Sequence, residues 1–214
     1  MGDKRILIFT GGNLSLQLLE VIQDNDYIIG ADRGALFLID NGIIPHISVG
    51  DFDSVTPEQL EQVTLNSRKM VKCDPVNKDL TDTELAFDTA LELNPSEIIL
   101  LGGTGTRIDH TLANIHMLLR GVQHHVRCSI LDEHNFITLT GSTCVVEDLG
   151  FTYVSLLPLT PEVTGIDLEG FQYPLHNATL KLGQSLGISN RLSAKRGTVK
   201  VEGGLLLIIQ SKDK

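Results

Sequence analysis

The chain has 214 residues and a formal net charge of −10, with 42% apolar and 21% charged residues. This balance fits a soluble globular protein of one large or two small domains, and the acidity excludes a broad nucleic-acid surface, which needs a basic stripe. No apolar run approaches the ~20 residues that span a bilayer, so no membrane contact is expected. The run Ile6 to Phe9 is too short for a signal peptide and stops at Gly11-Gly12. The cysteines Cys73, Cys128 and Cys144 lie far apart with no CxxC pair. They read as reduced packing residues in a cytoplasmic protein, not as a disulfide framework or a zinc knuckle.

In chain order, RILIF (5–9) predicts a strand, followed by GGN and the amphipathic, helical stretch LSLQLLEVI (14–22). DYIIGA (26–31) predicts a second strand, then DRG and the helical ALFLIDNG (35–42). HISVG (46–50) is a third strand and PEQLEQV (57–63) a helix with Pro57 near its start. KMVKC (69–73) is a fourth strand, TDTELAFDTALEL (81–93) a helix, EIILL (97–101) a fifth strand, and DHTLANIHMLLRG (109–121) a helix ending at Gly121. This βα alternation implies a mostly parallel sheet with helices on both faces, and the near-continuous apolar strands agree with burial on both sides. From VRCSIL (126–131) onward the runs are strand-like and punctuated by turns, which predicts an antiparallel sandwich. The expected division is an α/β nucleotide domain over 1–134 and a β-sandwich over 135–214, packed without a Pro/Ser-rich linker.

In an open parallel sheet, ligands bind beyond the carboxyl ends of the strands. Polar or Gly-rich residues gather there: Gly11-Gly12-Asn13, Asp32-Arg33-Gly34, Asp51 and Asp53, Asp74 with KDLTD (78–82), and GGTGTRIDH (102–110). If residues 51–53 are extended, Asp51 and Asp53 share one side, their Cα atoms roughly 6–7 Å apart, while Phe52 points into the core. Such a pair suits a hard divalent cation such as Mg²⁺, which takes carboxylates and phosphates. A solvated Asp-rich turn is the plain alternative. Thr81-x-x-Glu84 reads as a capping box, which leaves Lys78 to a phosphate and Asp79 or Asp82 to a metal. The glycine-rich turn offers backbone N–H groups and Arg107 to phosphate, with His110 within reach of a ligand. It lacks the third glycine of GxGxxG, and no Walker A sequence occurs.

The blocks GADRGA (30–35), GDFDS (50–54), KDLTD (78–82) and LGGTGTRIDHTLANI (101–115), with GISNRL (187–192) in the β-rich tail, resemble the thiamine pyrophosphokinase family in its bacterial form over nearly the whole chain. The resemblance implies an α/β domain, a thiamine-binding and dimerising β-sandwich, and a homodimer with its active site at or near the subunit interface. It implies transfer of a pyrophosphoryl group from ATP to thiamine, with Mg²⁺. By similarity, Asp51, Asp53, Asp79 and Asp82 form the catalytic metal region. Asp32, Arg33, Lys78, Gly102, Gly103, Thr104, Gly105, Arg107, Asp109, His110 and Asn114 hold the nucleotide. Ser189, Asn190 and Leu207 reach thiamine, Leu207 standing where animal relatives carry a tryptophan. Two other readings are weighed beside it. DFDSV fits the DxDx[TV] pattern of haloacid-dehalogenase-type phosphatases, although it follows the third strand rather than the first. A non-catalytic nucleotide or thiamine sensor would use the same pocket.

Overall fold

A computed structural model describes residues 4–72 and 80–213. It divides into two compact units between Glu133 and His134. The first unit contains β1 (Arg5–Phe9), a 3-10 helix (Leu16–Val21), β2 (Tyr27–Ala31), α1 (Arg33–Asp40), β3 (Ile47–Gly50), α2 (Pro57–Asn66), β4 (Met70–Lys72), α3 (Asp82–Glu92), β5 (Glu97–Leu101), α4 (Ile108–Gln123) and β6 (Arg127–Leu131). Its strands lie in the order β4-β3-β2-β1-β5-β6, every neighbouring pair parallel.

Side-chain alternation along the strands serves two faces. Leu7, Phe9, Ile28, Ile99 and Leu101 pack with Leu18 of the 3-10 helix and Leu38 of α1. Their alternates Ile6, Ile8, Ile29, Ile98 and Leu100 are equally buried. They form the face toward α3, which lies against β1, β2 and β3 and whose Ala86, Phe87 and Ala90 are fully buried. Each large side chain buried in this way contributes about 1.5–3 kcal/mol. The result is the three-layer α/β arrangement that the apolar strands predict.

The second unit contains β7 (Asn135–Thr140), β8 (Cys144–Glu147), β9 (Tyr153–Pro158), β10 (Glu162–Glu169), β11 (Ala178–Lys181), β12 (Arg196–Lys200) and β13 (Leu206–Ser211). The last strand, β13, inserts between β7 and β9, antiparallel to both. A second antiparallel layer runs β11-β10-β12-β8. Val154, Leu156, Leu206 and Ile208 of the first layer meet Val146, Val163, Ile166, Leu168, Leu180 and Val199 of the second in one core. This is the expected sandwich, built from the inward alternates of each strand.

Four local expectations change. VRCSIL is not the start of the antiparallel region: β6 pairs parallel with β5, from Glu97 opposite Arg127 to Leu101 opposite Leu131. Within residues 14–22, Leu16–Val21 form a short 3-10 helix rather than an α-helix; Ser15 makes no side-chain cap, and of the helix residues only Leu18 is buried. A stretch this brief, with Leu18 buried and Leu14, Leu19 and Ile22 packed beside it, has too few residues to propagate a full α-helix. Thr81 accepts the N–H of Glu84 at 3.2 Å, but the Glu84 carboxylate turns to Arg120 at 3.3 Å, so only half of that capping box forms. The complete box is one the sequence reading passed over, between Thr56 and Gln59 at the start of α2. Residues 51–53 are not extended: Phe52 has φ 57°, although its ring is buried with Ala35 and Val63 as expected.

Where β2 feeds α1, the backbone of β1 comes so close that only glycine fits. A Cβ at Gly34 would lie 2.0 Å from the carbonyl oxygen of Phe9, a backbone atom that cannot swing away. Gly34→Ala is therefore expected to destabilise the protein by about 1–3 kcal/mol and to lower its melting temperature by at least ~2 °C. An unchanged thermal midpoint would mean that α1 slides freely over β1.

Candidate active site

The strand order reverses between β1 and β5, since β2 lies to one side of β1 and β5 to the other. Loops leaving the carboxyl ends of these two strands diverge and leave a crevice, the general ligand position of open α/β sheets. A cleft of about 660 Å³ occupies that place. The loop after β1 (Thr10–Gly12) and the glycine loop after β5 (Gly102–Arg107) form one part of its lining. Asp32, Arg33, Asp51, Asp53 and the α3 N-terminus with Thr81 and Asp82 form another.

The acidic residues are drawn together. The Asp51 N–H donates to Asp82 Oδ1 at 3.3 Å, and the Asp53 N–H to Asp51 Oδ1 at 3.1 Å. This second bond is an Asx-type turn, made possible by the left-handed Phe52 whose buried ring anchors it. The turn and the site are thus the same structure: folding the DFD segment back brings Asp51 toward Asp82. Asp32 also has positive φ, 48°; its Oδ2 accepts from Ser54 at 2.6 Å. Its Oδ1 is buried with no hydrogen-bond partner among the described residues. Burial, then the nearby charges of Asp51, Asp32 and Asp53, push the Asp82 carboxyl above the usual aspartate range.

The glycine loop is tied down strand by strand. Thr10 Oγ1 donates to the Gly102 carbonyl at 2.5 Å, Asn114 Nδ2 to the Gly103 carbonyl at 2.7 Å, and the Asn13 N–H to the Thr104 carbonyl at 2.9 Å. Two of its N–H groups are already spent, Gly102 on the Leu131 carbonyl and Gly105 on Thr111 Oγ1 at 3.2 Å. The loop thus offers fewer phosphate donors than its glycine count suggests. The N-cap position of α4, Arg107, makes no side-chain cap; the Asp109 carboxylate takes the His110 N–H, and the other N–H groups of this helix end stay open to an anion. Arg107 pairs with Asp109 at 2.6 Å, both side chains exposed, and holds the Asp109 carboxyl below its usual range. Arg107, His110 and Asn114 line the cleft.

Asp32, Arg33, Asp51, Asp53, Asp82, Gly102, Gly103, Thr104, Gly105, Arg107, His110 and Asn114 thus meet at one cleft, and Asp109 joins it through Arg107. Lys78 and Asp79 lie outside the described residues. Among the described residues, no group of three or more His, Cys, Asp or Glu is poised to hold a metal ion, and none of the helices is long and apolar enough to cross a membrane. The sequence reading missed Thr10, Thr111 and Asp132. Asp132 is the first polar residue after β6; it is 7% exposed and accepts the Thr104 hydroxyl. The signal was legible, a carboxylate at another strand end, but it went unread because β6 was grouped with the antiparallel region.

In the second unit, Ser189 is left-handed with φ 58° and its N–H bonds Ser155 Oγ at 3.0 Å. The Asn190 carboxamide accepts from the Tyr173 and Arg191 N–H groups and donates to the Tyr173 carbonyl at 2.7 Å. It shapes the loop more than it reaches outward. Leu207 lies on β13 opposite Leu139 and Leu157, on the sheet face turned away from the sandwich core.

The family model of the thiamin pyrophosphokinase catalytic domain matches residues 18–130, and that of the thiamin pyrophosphokinase vitamin B1 binding domain matches residues 143–206. The chain belongs to the thiamine pyrophosphokinase family. It is 36% identical to the thiamine pyrophosphokinase of Bacillus subtilis, covering 98% of this chain and 100% of that protein. A crystal structure of the Bacillus subtilis protein superposes with a TM-score of 0.92, at 35% identity over 99% of this chain and 100% of the other. That of Geobacillus thermodenitrificans gives 0.88 at 34% identity, over 98% of both chains. Membership in the thiamine pyrophosphokinase family leaves the phosphatase and sensor readings without support.

The raised Asp82 carboxyl carries a stability signature. The folded state holds a proton there more readily than the unfolded chain does. Its contribution is therefore most favourable at low pH and is lost as the pH rises through the folded-state value. Asp82→Asn is expected to raise the unfolding free energy at pH 7 in metal-free buffer. The gain should disappear below about pH 4, where aspartate is protonated in either state. Denaturant titrations of both proteins at the two pH values check it; equal stability at pH 7 would mean that neither burial nor the neighbouring charges penalise the Asp82 carboxylate.

Proposed function

We propose that the chain transfers the diphosphoryl group of ATP to the hydroxyl of thiamine, giving thiamine diphosphate and AMP, as a cytoplasmic, Mg²⁺-dependent homodimer. The observation that carries this reading is the convergence of carboxylates and an anchored glycine loop on one cleft at the β1/β5 reversal, in a chain of this family. The N-terminal unit would serve ATP and the metal, and the sandwich would serve thiamine and dimerisation. In support of the dimer, Leu182, Leu186 and Ile188 are exposed apolar residues on the stretch leading to Ser189 and Asn190, and Tyr173, bonded to Asn190, is also exposed.

The donor set suits a hard cation: an Asp82 carboxyl raised by burial and then by its aspartate neighbours, and a buried Asp32 oxygen without a partner among the described residues. Asp51, Asp53, Asp79 and Asp82 would hold Mg²⁺, which when bound neutralises phosphate charge. The protein's own work is positioning and electrostatics. The open α4 N-terminus, Arg107 and Lys78 steady the phosphates. Asp32, Arg33, Asp109, His110 and Asn114 help to hold the nucleotide. The thiamine oxygen attacks the β-phosphorus, the bond from that phosphorus to the α–β bridging oxygen breaks, and AMP leaves. The alcohol proton passes to an aspartate, Asp53 or Asp79. The carboxylates favour the positive thiazolium ring, and Ser189, Asn190 and Leu207 are the thiamine residues that the family resemblance assigns to the second unit.

The test is AMP formation from ATP, Mg²⁺ and thiamine. AMP and thiamine diphosphate are expected in equal amounts, and EDTA is expected to abolish both. Asp51→Asn is expected to lower kcat by roughly 10²-fold, the scale of losing a key electrostatic group. Phosphate release independent of thiamine, or tight nucleotide binding without any AMP, would overturn the reading.

A further inference from the structure

Asp132 is a buried carboxylate at the end of β6, directly behind the glycine loop. Its side chain accepts the hydroxyl proton of Thr104, a residue that lines the cleft. A carboxylate offers only acceptors, and a threonine hydroxyl carries one proton. With that proton committed to Asp132, Thr104 Oγ1 retains only lone pairs for a ligand. The loop around Thr104 is held in place, its carbonyl accepting the Asn13 N–H and the Gly103 carbonyl accepting from Asn114.

A hydroxyl oxygen that offers only lone pairs is a poor neighbour for phosphate oxygens, which are also acceptors. It is a good neighbour for an amine or a hydroxyl. We infer that Asp132 is a positioning residue for nucleotide selection: by taking the hydroxyl proton of Thr104 it makes Thr104 an obligate acceptor, which receives a hydrogen bond from a donor on the nucleoside half of the nucleotide. The phosphates then lie away from Thr104, toward the open α4 N-terminus and the carboxylates. The donor is either the 6-amino group of the base or a ribose hydroxyl. This assignment rests on ATP being the co-substrate.

The test measures the binding of ATP, purine riboside triphosphate (which lacks the 6-amino group), 2′-deoxy-ATP and 3′-deoxy-ATP by calorimetry, with kcat/KM for each where turnover occurs. The wild-type protein is expected to discriminate against one analogue by about tenfold, and the analogue so rejected names the donor. Thr104→Val is near-isosteric. It is expected to weaken ATP by about tenfold, leave the rejected analogue unchanged, and so abolish the discrimination; Thr104→Ser should restore it. Asp132→Ala, which removes the acceptor, is expected to reduce the discrimination in the wild-type background but not in Thr104→Val, because it acts only through that hydroxyl. Melting curves identify variants that fold, and Thr104→Ala replaces valine if valine is not accommodated. Equal losses for all four nucleotides in the valine or alanine variant, no wild-type discrimination, or additive effects of the Thr104 and Asp132 substitutions would overturn the inference. Discrimination in binding without thiamine-dependent AMP would leave it standing while overturning the proposed reaction.

Discussion

The loops after β1 and β5 meet backbone to backbone, and the cleft depends on that contact. A Cβ at Gly12 would lie 2.2 Å from the Gly102 carbonyl oxygen and 2.3 Å from that of Thr104. Any side chain there would push one loop off the other and break the bonds from Thr10 and Asn13 that tie them. The reversal of strand order opens the crevice. The glycine closes its floor and fixes where Thr104, Gly105 and Arg107 stand relative to the carboxylates.

A second constraint is electrostatic. Burial first, and then the charges of Asp51, Asp32 and Asp53, raise the Asp82 carboxyl, an arrangement that costs stability at neutral pH. Such conflict is characteristic of functional sites, where charge is arranged for a ligand rather than for the fold. The structure around it is correspondingly firm. Phe52 is buried beneath the DFD turn. Arg120 of α4 reaches Glu84 and Asp88 of α3, joining the helix that carries Asp82 to the helix that opens at Arg107.

Much of this was legible in the residues. The apolar strands of the first unit announce themselves because burial on both faces leaves few polar alternates, Ser48 and Ser129 among them, and their order along the chain predicts the βα rhythm. The candidate site was legible as polar turns after strands, which is how Asp32, Asp51, Asp82 and the glycine loop were found. Less legible were features set by partners distant in sequence. β6 resembles any strand of the sandwich until its parallel pairing with β5 is known. Glu84 fits a capping box until Arg120, 36 residues away, claims its carboxylate. Thr10 and Asp132 look like ordinary flanking residues, because their role lies in bonds to Gly102 and Thr104.

The sequence by itself determined the periodicities, and through them the two kinds of layer, the strand ends that carry polar residues, and the motifs that mark the family. Those features are local, so chain order suffices to read them. The tertiary structure alone decided which strand ends share a crevice, which loop amides are already spent, and which direction the Thr104 hydroxyl points. Each of these depends on atoms brought together by strand order and by close backbone contact, and no sequence spacing encodes where a proton is donated.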